Sequence, residues 1–465
     1  MIHIIGGGLA GCEAAWQAAR AGQDVTLHEM RPVRPTLVHK TGDLAELVCS
    51  NSFRGDKLDN AVGLIKEEMR RLDSVVMAAA EVARVPAGAA LAVDRLVFSG
   101  EVAARLATEP GITVVRDEVT AVPPAIAGQV TIIATGPLTS DALSQSIQAF
   151  VGDEHLAFYD AISPIVLAES IDHDVVFRQS RWGRSLRRAP SAEQAPVAAT
   201  APSLSGAAVA CGIDDGEGDY LNCPFTKAEY DAFYDALVAA ESATIHDFDA
   251  ATFFEGCLPI EVMAHRGRDT LRFGPMKPVG LEDPRTGRRP YAAVQLRQDT
   301  LAGDHYSLVG FQTQLKWGEQ ARVLRMIPGL ARAEFVRFGM VHRNTFINGP
   351  KVLQPTWQTR VRDDLFFAGQ ISGVEGYVES AASGLIAGRN AARVAQGLAP
   401  RVAPRTTAIG ALAHYASHAD PNHYQPSNIT FGIMPPLDDP PRDKAERKRR
   451  LADRALSDLA AWLRP

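Results

Sequence analysis

The sequence predicts an α/β protein in which a discontinuous, Rossmann-like dinucleotide-binding domain is interrupted by an inserted α+β domain. Three observations carry that prediction. The opening stretch, MIHIIGGGLAGCEAAWQAARAGQDVTLHEM, runs strand, glycine turn, helix, strand and acid in that order. Residues 361–395, VRDDLFFAGQISGVEGYVESAASGLIAGRNAARVA, repeat a strand–loop–helix pattern far along the chain. Between them, from about residue 165 to about 315, short apolar runs and turns replace the βαβ rhythm.

Each element has a physical reason. The apolar run Met1 to Ile5 leads into Gly6-x-Gly8-x-x-Gly11, with Gly7, Leu9 and Ala10 between the glycines. The first glycine permits a tight turn, the second lets the backbone approach a pyrophosphate, and the third lets helix pack on strand. The following helix starts with unpaired N–H groups that suit an anion. Gly22 ends it, Val25 to His28 form the next strand, and Glu29 follows that strand 18 residues after Gly11, placed to accept from a ribose hydroxyl. Residues 31–57 read as a polar connection, 58–83 as one long helix with Leu64, Ile65, Met69, Leu72, Val76 and Ala79 on one face, and 95–107 as another helix. Gly111 to Val115 and Gln129 to Ile133 read as strands, the second ending in Ala134-Thr135-Gly136. That ending resembles the second cofactor signature of flavoproteins with two dinucleotide folds, and adds Thr135 and Gly136 to the candidate FAD-binding residues.

The return to the first domain comes with the strand Leu365 to Ala368, the loop Gly369 to Gly376 and a helix from Tyr377. In large FAD proteins such a loop closes the site and its helix aims an N-terminus at the flavin, so Gly369, Gln370, Gly373, Glu375 and Gly376 are candidates. The expected division is a cofactor domain of residues 1–164 and 316–402, an inserted domain of 165–315, and a helical tail of 403–465. Within the insert, Leu186 to Gly206 is rich in Ala, Pro, Ser and Arg and is expected to be a flexible surface loop.

Composition narrows the class. At 465 residues, 46% hydrophobic and 22% charged, the chain reads as a soluble globular protein of two or three domains. No run approaches the roughly eighteen apolar residues of a membrane span. The first strand begins at residue 2, so no leader peptide is expected. The five cysteines form no CxxC pair, which argues against a disulfide scaffold or a metal site and points to a reducing, cytoplasmic setting. The net charge of −6 disfavours a protein that coats nucleic acid, while leaving room for a local basic patch.

ELVCSNSFRGD, YLNCPFTKAEYDAFYDAL, FEGCLPIE, RGRDTLRFGPMKPVGL, PGLARAEFVRFGMVHRNTFINGPKVL and GQISGVEGYVESAASGLIAG occur in order along the chain. Together they resemble the bacterial folate- and FAD-dependent tRNA uracil-5-methyltransferases over nearly its whole length. GQISGVEGYVESAASG is shared with sister flavoproteins that modify the wobble uridine; LVCSNSFRG and LNCPFTK are not. The resemblance implies methylation of C5 of the T-loop uridine, in the T arm of tRNA. The carbon comes from 5,10-methylenetetrahydrofolate, FAD carries it, and NAD(P)H supplies electrons. The same chemistry on a ribosomal RNA uridine, a wobble-modifying sister, and a non-catalytic FAD-loaded RNA-binding protein are the alternatives.

C5 of uracil is a weak nucleophile until a thiolate adds at C6, so cysteines are the candidates. Cys12 sits in the cofactor helix and reads as packing, Cys211 as incidental and Cys257 as core. Cys223 precedes Pro224 and the helix starting at Thr226, a position that lowers a thiol's pKa; the resemblance makes it the nucleophile on uracil, the alternative being a buried structural thiol. Cys49 lies in a polar loop with Ser50, Asn51, Ser52 and Arg54, and the resemblance places it at the one-carbon-transfer centre. His342, Arg343 and Asn344, after the strand-like run Glu334 to Val341, are expected either to hold a pterin or to form a structural turn. Arg266, Arg268, Arg272 and Lys277 are read as RNA or folate contacts, with a solvated strand face as the alternative. Residues 184–212 look like an insertion relative to the family pattern.

Overall fold

The computed structural model describes residues 1–464 apart from residue 37 and the stretches 153–155, 184–217 and 243–257. The loop Leu186 to Gly206, the 184–212 insertion, Cys211 and Cys257 therefore lie outside the described residues. Five parallel strands form the first sheet, in the order Leu365–Phe367, Val130–Ile133, Ile2–Ile5, Val25–His28, Ile112–Val115. All four residues of Val130–Ile133 are buried, as are Ile2 and Ile4, because helices cover both faces of a parallel sheet. The strand from residue 365 pairs with Val130–Ile133, so the two ends of the sequence pattern share one sheet.

Two helices, Leu9–Arg20 and Tyr377–Ala395, bind these ends together. A Cβ on Gly384 would stand 2.1 Å from the Ala10 carbonyl oxygen, and one on Gly388 2.4 Å from that of Ala14. Only glycine admits this approach, so the small-residue stripe of the later helix is a packing surface for the earlier one. Its early residues, Tyr377 and Ser380, line the cofactor cleft.

The single helix expected over 58–83 is two, Ala61–Arg71 and Val75–Val82. Asp73 takes φ 60° between them, and the Ser74 side chain accepts the Met77 N–H to start the second. The buried Glu13 receives Ser74 Oγ at 2.6 Å and the Val76 N–H at 3.1 Å, and burial pushes its pKa up to about 7.

The tail is not a separate helical unit. Residues of Ala408–His418 and Lys444–Leu463 belong to the first core. Glu68 fixes the first of these helices by accepting the Ala408 and Ile409 N–H groups at 2.8 and 2.9 Å.

The inserted unit is a six-stranded antiparallel sheet, ordered Phe177–Arg178, Tyr220–Phe225, Ala292–Gln298, His305–Leu308, Ile165–Leu167, Phe335–Arg337. Its core takes in Val323, Leu324, Ile327, Leu330 and Ala333, so the unit runs past the expected boundary at 315/316. The run Glu334 to Val341 is also divided. Phe335–Arg337 is the edge strand of this sheet, while Val341–Phe346 pairs with Leu156–Ala161.

Candidate cofactor cleft and active site

The glycine turn forms the floor of a cleft of about 980 Å3. Gly6 has φ +106°, and a Cβ on Gly11 would fall 1.8 Å from the Gly6 carbonyl oxygen, so turn and helix are locked by absent side chains. Gly8 differs: a Cβ there meets nothing within 4 Å, because it would point into the cleft. The Leu9–Arg20 helix has no side chain capping its N-terminus, and Leu9 and Ala10 line the cleft beside it. Open space beside uncapped N–H groups is what a pyrophosphate requires, and the cleft accommodates FAD on that ground.

Glu29 lines the same cleft and is buried. It accepts the Gly7 N–H at 2.8 Å, and from Arg31 both the backbone N–H at 2.9 Å and Nε at 2.8 Å. Burial opposes its charge, but Arg31 and these N–H groups hold the carboxyl below its ordinary value. Glu29 thus braces the glycine loop as well as presenting an acceptor. Thr135, Gly136, Gly369 and Gln370 line the cleft with Gly6, Gly7 and Gly8. Gly11 and Gly373 are not among its lining residues; Gly373 packs on the Tyr424 hydroxyl. His39 lines it too and was not foreseen. Burial, then the Arg31 charge, pushes its pKa down to about 4, leaving a neutral imidazole at pH 7.

A second cavity of about 1280 Å3 continues from the first, sharing Val48, Pro137, Gln370 and Tyr377. Cys49, Glu375 and Gly376 line it, and Cys49 is half-buried. The loop around this thiol is held by four side chains. The Cys49 N–H donates to the Tyr377 hydroxyl at 2.7 Å, and its carbonyl accepts from Arg95 at 3.2 Å and Arg337 at 2.9 Å. Next door, Arg297 donates to Asn51 Oδ1 at 2.8 Å and to Ser50 Oγ at 2.9 Å. Three guanidiniums thus surround the loop, and Asp299 pairs with Arg95. Burial first, and then the neighbouring Arg95, pushes Arg337 below its ordinary pKa. Such a setting favours negative charge in the cavity. Tyr377, Arg95, Arg297 and Arg337 come from distant parts of the chain; Tyr377 and Arg337 fall within the motifs quoted above, whereas Arg95 and Arg297 fall in none of them.

Cys223 lies elsewhere. It belongs to the strand Tyr220–Phe225, opposite Val294, and is fully buried in the second core with Leu221, Phe225, Tyr230 and Phe233. Burial pushes its thiol pKa up, the reverse of the lowering expected from a helix start. Thr226 does cap the helix Lys227–Val238, in a capping box with Glu229, but the cysteine points away from that terminus into the sheet's core face. The opposite face carries Asn222, bonded to Gln295, and then Arg297, which reaches the Cys49 loop. The two thiols are therefore on opposite faces of one sheet. Cys12 is likewise buried, as expected of packing.

His342, Arg343 and Asn344 do not form a turn after a strand; they lie within Val341–Phe346, opposite Asp160, Tyr159 and Phe158. The basic group lies on and around the short helices Ile260–His265 and Thr270–Phe273 rather than on a strand face. Arg268 pairs with Asp231 and Asp235, Arg272 pairs with Asp269 and stacks on Tyr291 at 3.7 Å, and Lys277 lies 5.9 Å over Trp182. Arg266 caps the helix Ile260–His265. None of the four lines either cavity. Among the described residues no helix is long and apolar enough to cross a membrane, and no cluster of three metal-ligating side chains occurs.

The fold and the cleft define a dinucleotide-binding protein with a discontinuous nucleotide domain. A profile described as GIDA, glucose inhibited division protein A, matches residues 1–201 and 203–399. The solved structure of Aquifex aeolicus GidA in the form II crystal has a TM-score of 0.66 at 15% identity, covering 99% of this chain and 73% of that one. Among curated relatives, the methylenetetrahydrofolate--tRNA-(uracil-5-)-methyltransferase TrmFO of Symbiobacterium thermophilum is 58% identical, covering 99% of this chain and 96% of its own length. The same-named protein of Anoxybacillus flavithermus is 54% identical, covering 100% and 99%. The chain belongs to the glucose inhibited division protein A family and, within it, to the TrmFO methyltransferases.

Proposed function

We infer that the chain is a folate- and FAD-dependent enzyme that methylates C5 of a uridine in tRNA. The observation that carries this reading is the half-buried Cys49 thiol at the junction of a dinucleotide cleft with a second, arginine-walled cavity. Bound FAD, reduced by NAD(P)H, supplies the electrons that turn a folate-borne methylene into a methyl group. The glycine turn, Glu29, Thr135, Gly136, Gly369 and Gln370 hold the dinucleotide, and Glu375 and Gly376 border the reacting end. Cys49 acts there on the one-carbon unit. Tyr377, Arg95 and Arg337 fix its backbone, and with Arg297 the arginines stabilise negative charge that develops on the uracil ring.

Our reading retains Cys223 as the thiol that adds to C6, with one added condition. C5 and C6 are bonded neighbours of one ring, so the helix Lys227–Val238 must lift and the strand Tyr220–Phe225 must also turn Cys223 toward the Cys49 cavity; tRNA binding has to open the second core and move this strand. We place the enzyme in the cytoplasm, acting on the T-loop uridine presented by the T arm. His342, Arg343, Asn344, Arg266, Arg268 and Lys277 are carried as substrate contacts, with no direct part in the chemistry.

The test is a purified assay with FAD, 5,10-methylenetetrahydrofolate, NAD(P)H and a T-arm RNA, read by nucleoside mass analysis. C5-methyluridine should form at the T-loop position. Methylation of ribosomal RNA alone, or modification of wobble uridine alone, would replace this reading with its alternatives. RNA carrying 5-fluorouridine should be trapped covalently, and Cys223→Ala should abolish the trap. A crosslink mapped to Cys49 would reverse the division of labour.

A further inference from the structure

At the edge strand Phe335–Arg337 of the inserted sheet, three aromatic rings form a stack whose outer member, Trp317 at the start of the helix Trp317–Leu324, is exposed while Phe335 and Phe338 are half-buried. Trp317, 63% exposed, lies parallel to Phe338 with centroids 6.2 Å apart, and Phe338 lies parallel to Phe335 at 5.0 Å. Arg325 covers Phe335 at 5.8 Å. A largely exposed indole at the end of a ring stack presents apolar surface of the kind that binding sites use. Val336, between Phe335 and Arg337, is 51% exposed as well.

The position of the stack says what it meets. Phe338 directly follows Arg337, whose guanidinium donates to the Cys49 carbonyl. The stack is thus one residue removed in sequence from a guanidinium that holds the loop of the cleft thiol. Phe335–Arg337 is an edge strand, and its pairing shifts register between Phe335 and Arg337. Three arginines flank it. Arg325 donates to the Ala333 carbonyl, Arg337 to that of Cys49, and Arg332 is exposed; none of the three is paired with a carboxylate among the described residues. Flat π faces beside the exposed guanidiniums of Arg325 and Arg332 match a nucleobase and its phosphate, because each base offers a face for stacking and each phosphate a negative charge.

We propose that the Trp317–Phe338–Phe335 ladder is a stacking platform that takes an unpaired base of the tRNA next to the uridine delivered to Cys49. This rests on the reading of the chain as a tRNA uridine methyltransferase and adds where the loop is gripped. Delivering a uridine means unstacking it from its neighbours, at a cost of a few kcal/mol. A ring stack that replaces the lost neighbour lowers that cost at the place where it is incurred. The basic group around Arg268 is a less suitable platform, since Arg268 and Arg272 are neutralised by Asp231, Asp235 and Asp269.

The experiment measures binding of a fluorescein-labelled T-arm hairpin RNA to the FAD-loaded enzyme by anisotropy, at fixed salt. Trp317→Ala should weaken Kd by about tenfold or more, with FAD content and thermal midpoint unchanged because the ring is exposed. Trp317→Phe should recover most of the affinity, since a flat ring is what the site needs. Arg332→Gln should reduce the slope of log Kd against log salt by roughly one phosphate contact, whereas Trp317→Ala should leave that slope as it is. An unchanged Kd in Trp317→Ala overturns the platform. Wild-type enzyme that neither binds nor methylates the hairpin overturns the functional reading instead, so the two failures are distinct.

Discussion

The two faces of the inserted sheet give the same side chain opposite surroundings. Through Arg297, one face supports the loop of Cys49, a half-buried thiol on a cavity with three guanidiniums around its backbone. On the other face Cys223 is packed among Leu221, Phe225 and Phe233, and burial pushes its thiol pKa up. A strand turns successive side chains to opposite sides, so a single residue of register separates a cleft residue from a core residue. The contrast shows that a cysteine's chemistry is set by sheet face as much as by nearby helix ends or charges.

The largest effect should come from the cleft side. Cys49→Ala should lower C5-methyluridine formation by at least about a hundredfold, the scale of losing one group that acts in the reaction, while FAD stays bound. Methylation that survives would remove the distinction between the thiols. Gly8→Val should release FAD, read by absorbance of the purified protein. Because a Cβ at Gly8 meets no protein atom within 4 Å, the circular dichroism of the apoprotein should be retained. Gly11→Ala, with its Cβ 1.8 Å from the Gly6 carbonyl oxygen, should instead damage the fold.

Acid should act on the cleft before the core. Glu29 has a folded pKa below its ordinary 4.5, so its contribution is complete above that pH and is lost as pH falls through the folded value. His39, held at about 4 against an ordinary 6.5, acts earlier: its contribution is complete above about 6.5 and is lost as pH falls through about 4. FAD retention, followed by flavin fluorescence, should be level at neutral pH, begin to fall below about 6.5 and fall further below about 4.5. Glu29→Gln should bind more weakly at neutral pH and show a shallower fall. The smallest effect is expected for Tyr377→Phe. Losing the hydroxyl that accepts the Cys49 N–H costs about 1 kcal/mol, a several-fold drop in methylation rate with FAD content unchanged.

Much of this architecture is legible in the chain because its causes are local. The Gly6 to Gly11 turn, the strand Val25–His28 and the loop before Tyr377 are specified by residues adjacent in sequence. The break at Asp73 was obscured because apolar spacing continues through it, although Ser74 is a good N-cap. The docking of Ala408–His418 depends on Glu68, hundreds of residues away, and no periodicity reports it. The inserted unit's end was misplaced because Trp317–Leu324 resumes a helical pattern while packing on the earlier sheet. For Cys223 a signal was present. Leu221, Cys223 and Phe225 alternate with Tyr220, Asn222 and Pro224, which assigns the cysteine to the apolar face. The proximity of Thr226 points to the helix start instead. Arg95, Arg297 and Arg337 converge only through tertiary structure, and no linear reading groups them.

Thiol labelling of the FAD-loaded enzyme, without RNA and under native conditions, tests the contrast between the two faces most directly. A small alkylating reagent is added, and peptide mass analysis follows each cysteine over time. Cys49 should label at a rate set by the open cavity, while Cys223 should label only on the slower timescale of opening the second core and faster once tRNA is added. Cys223 labelling as fast as Cys49 in the absence of tRNA would contradict the account.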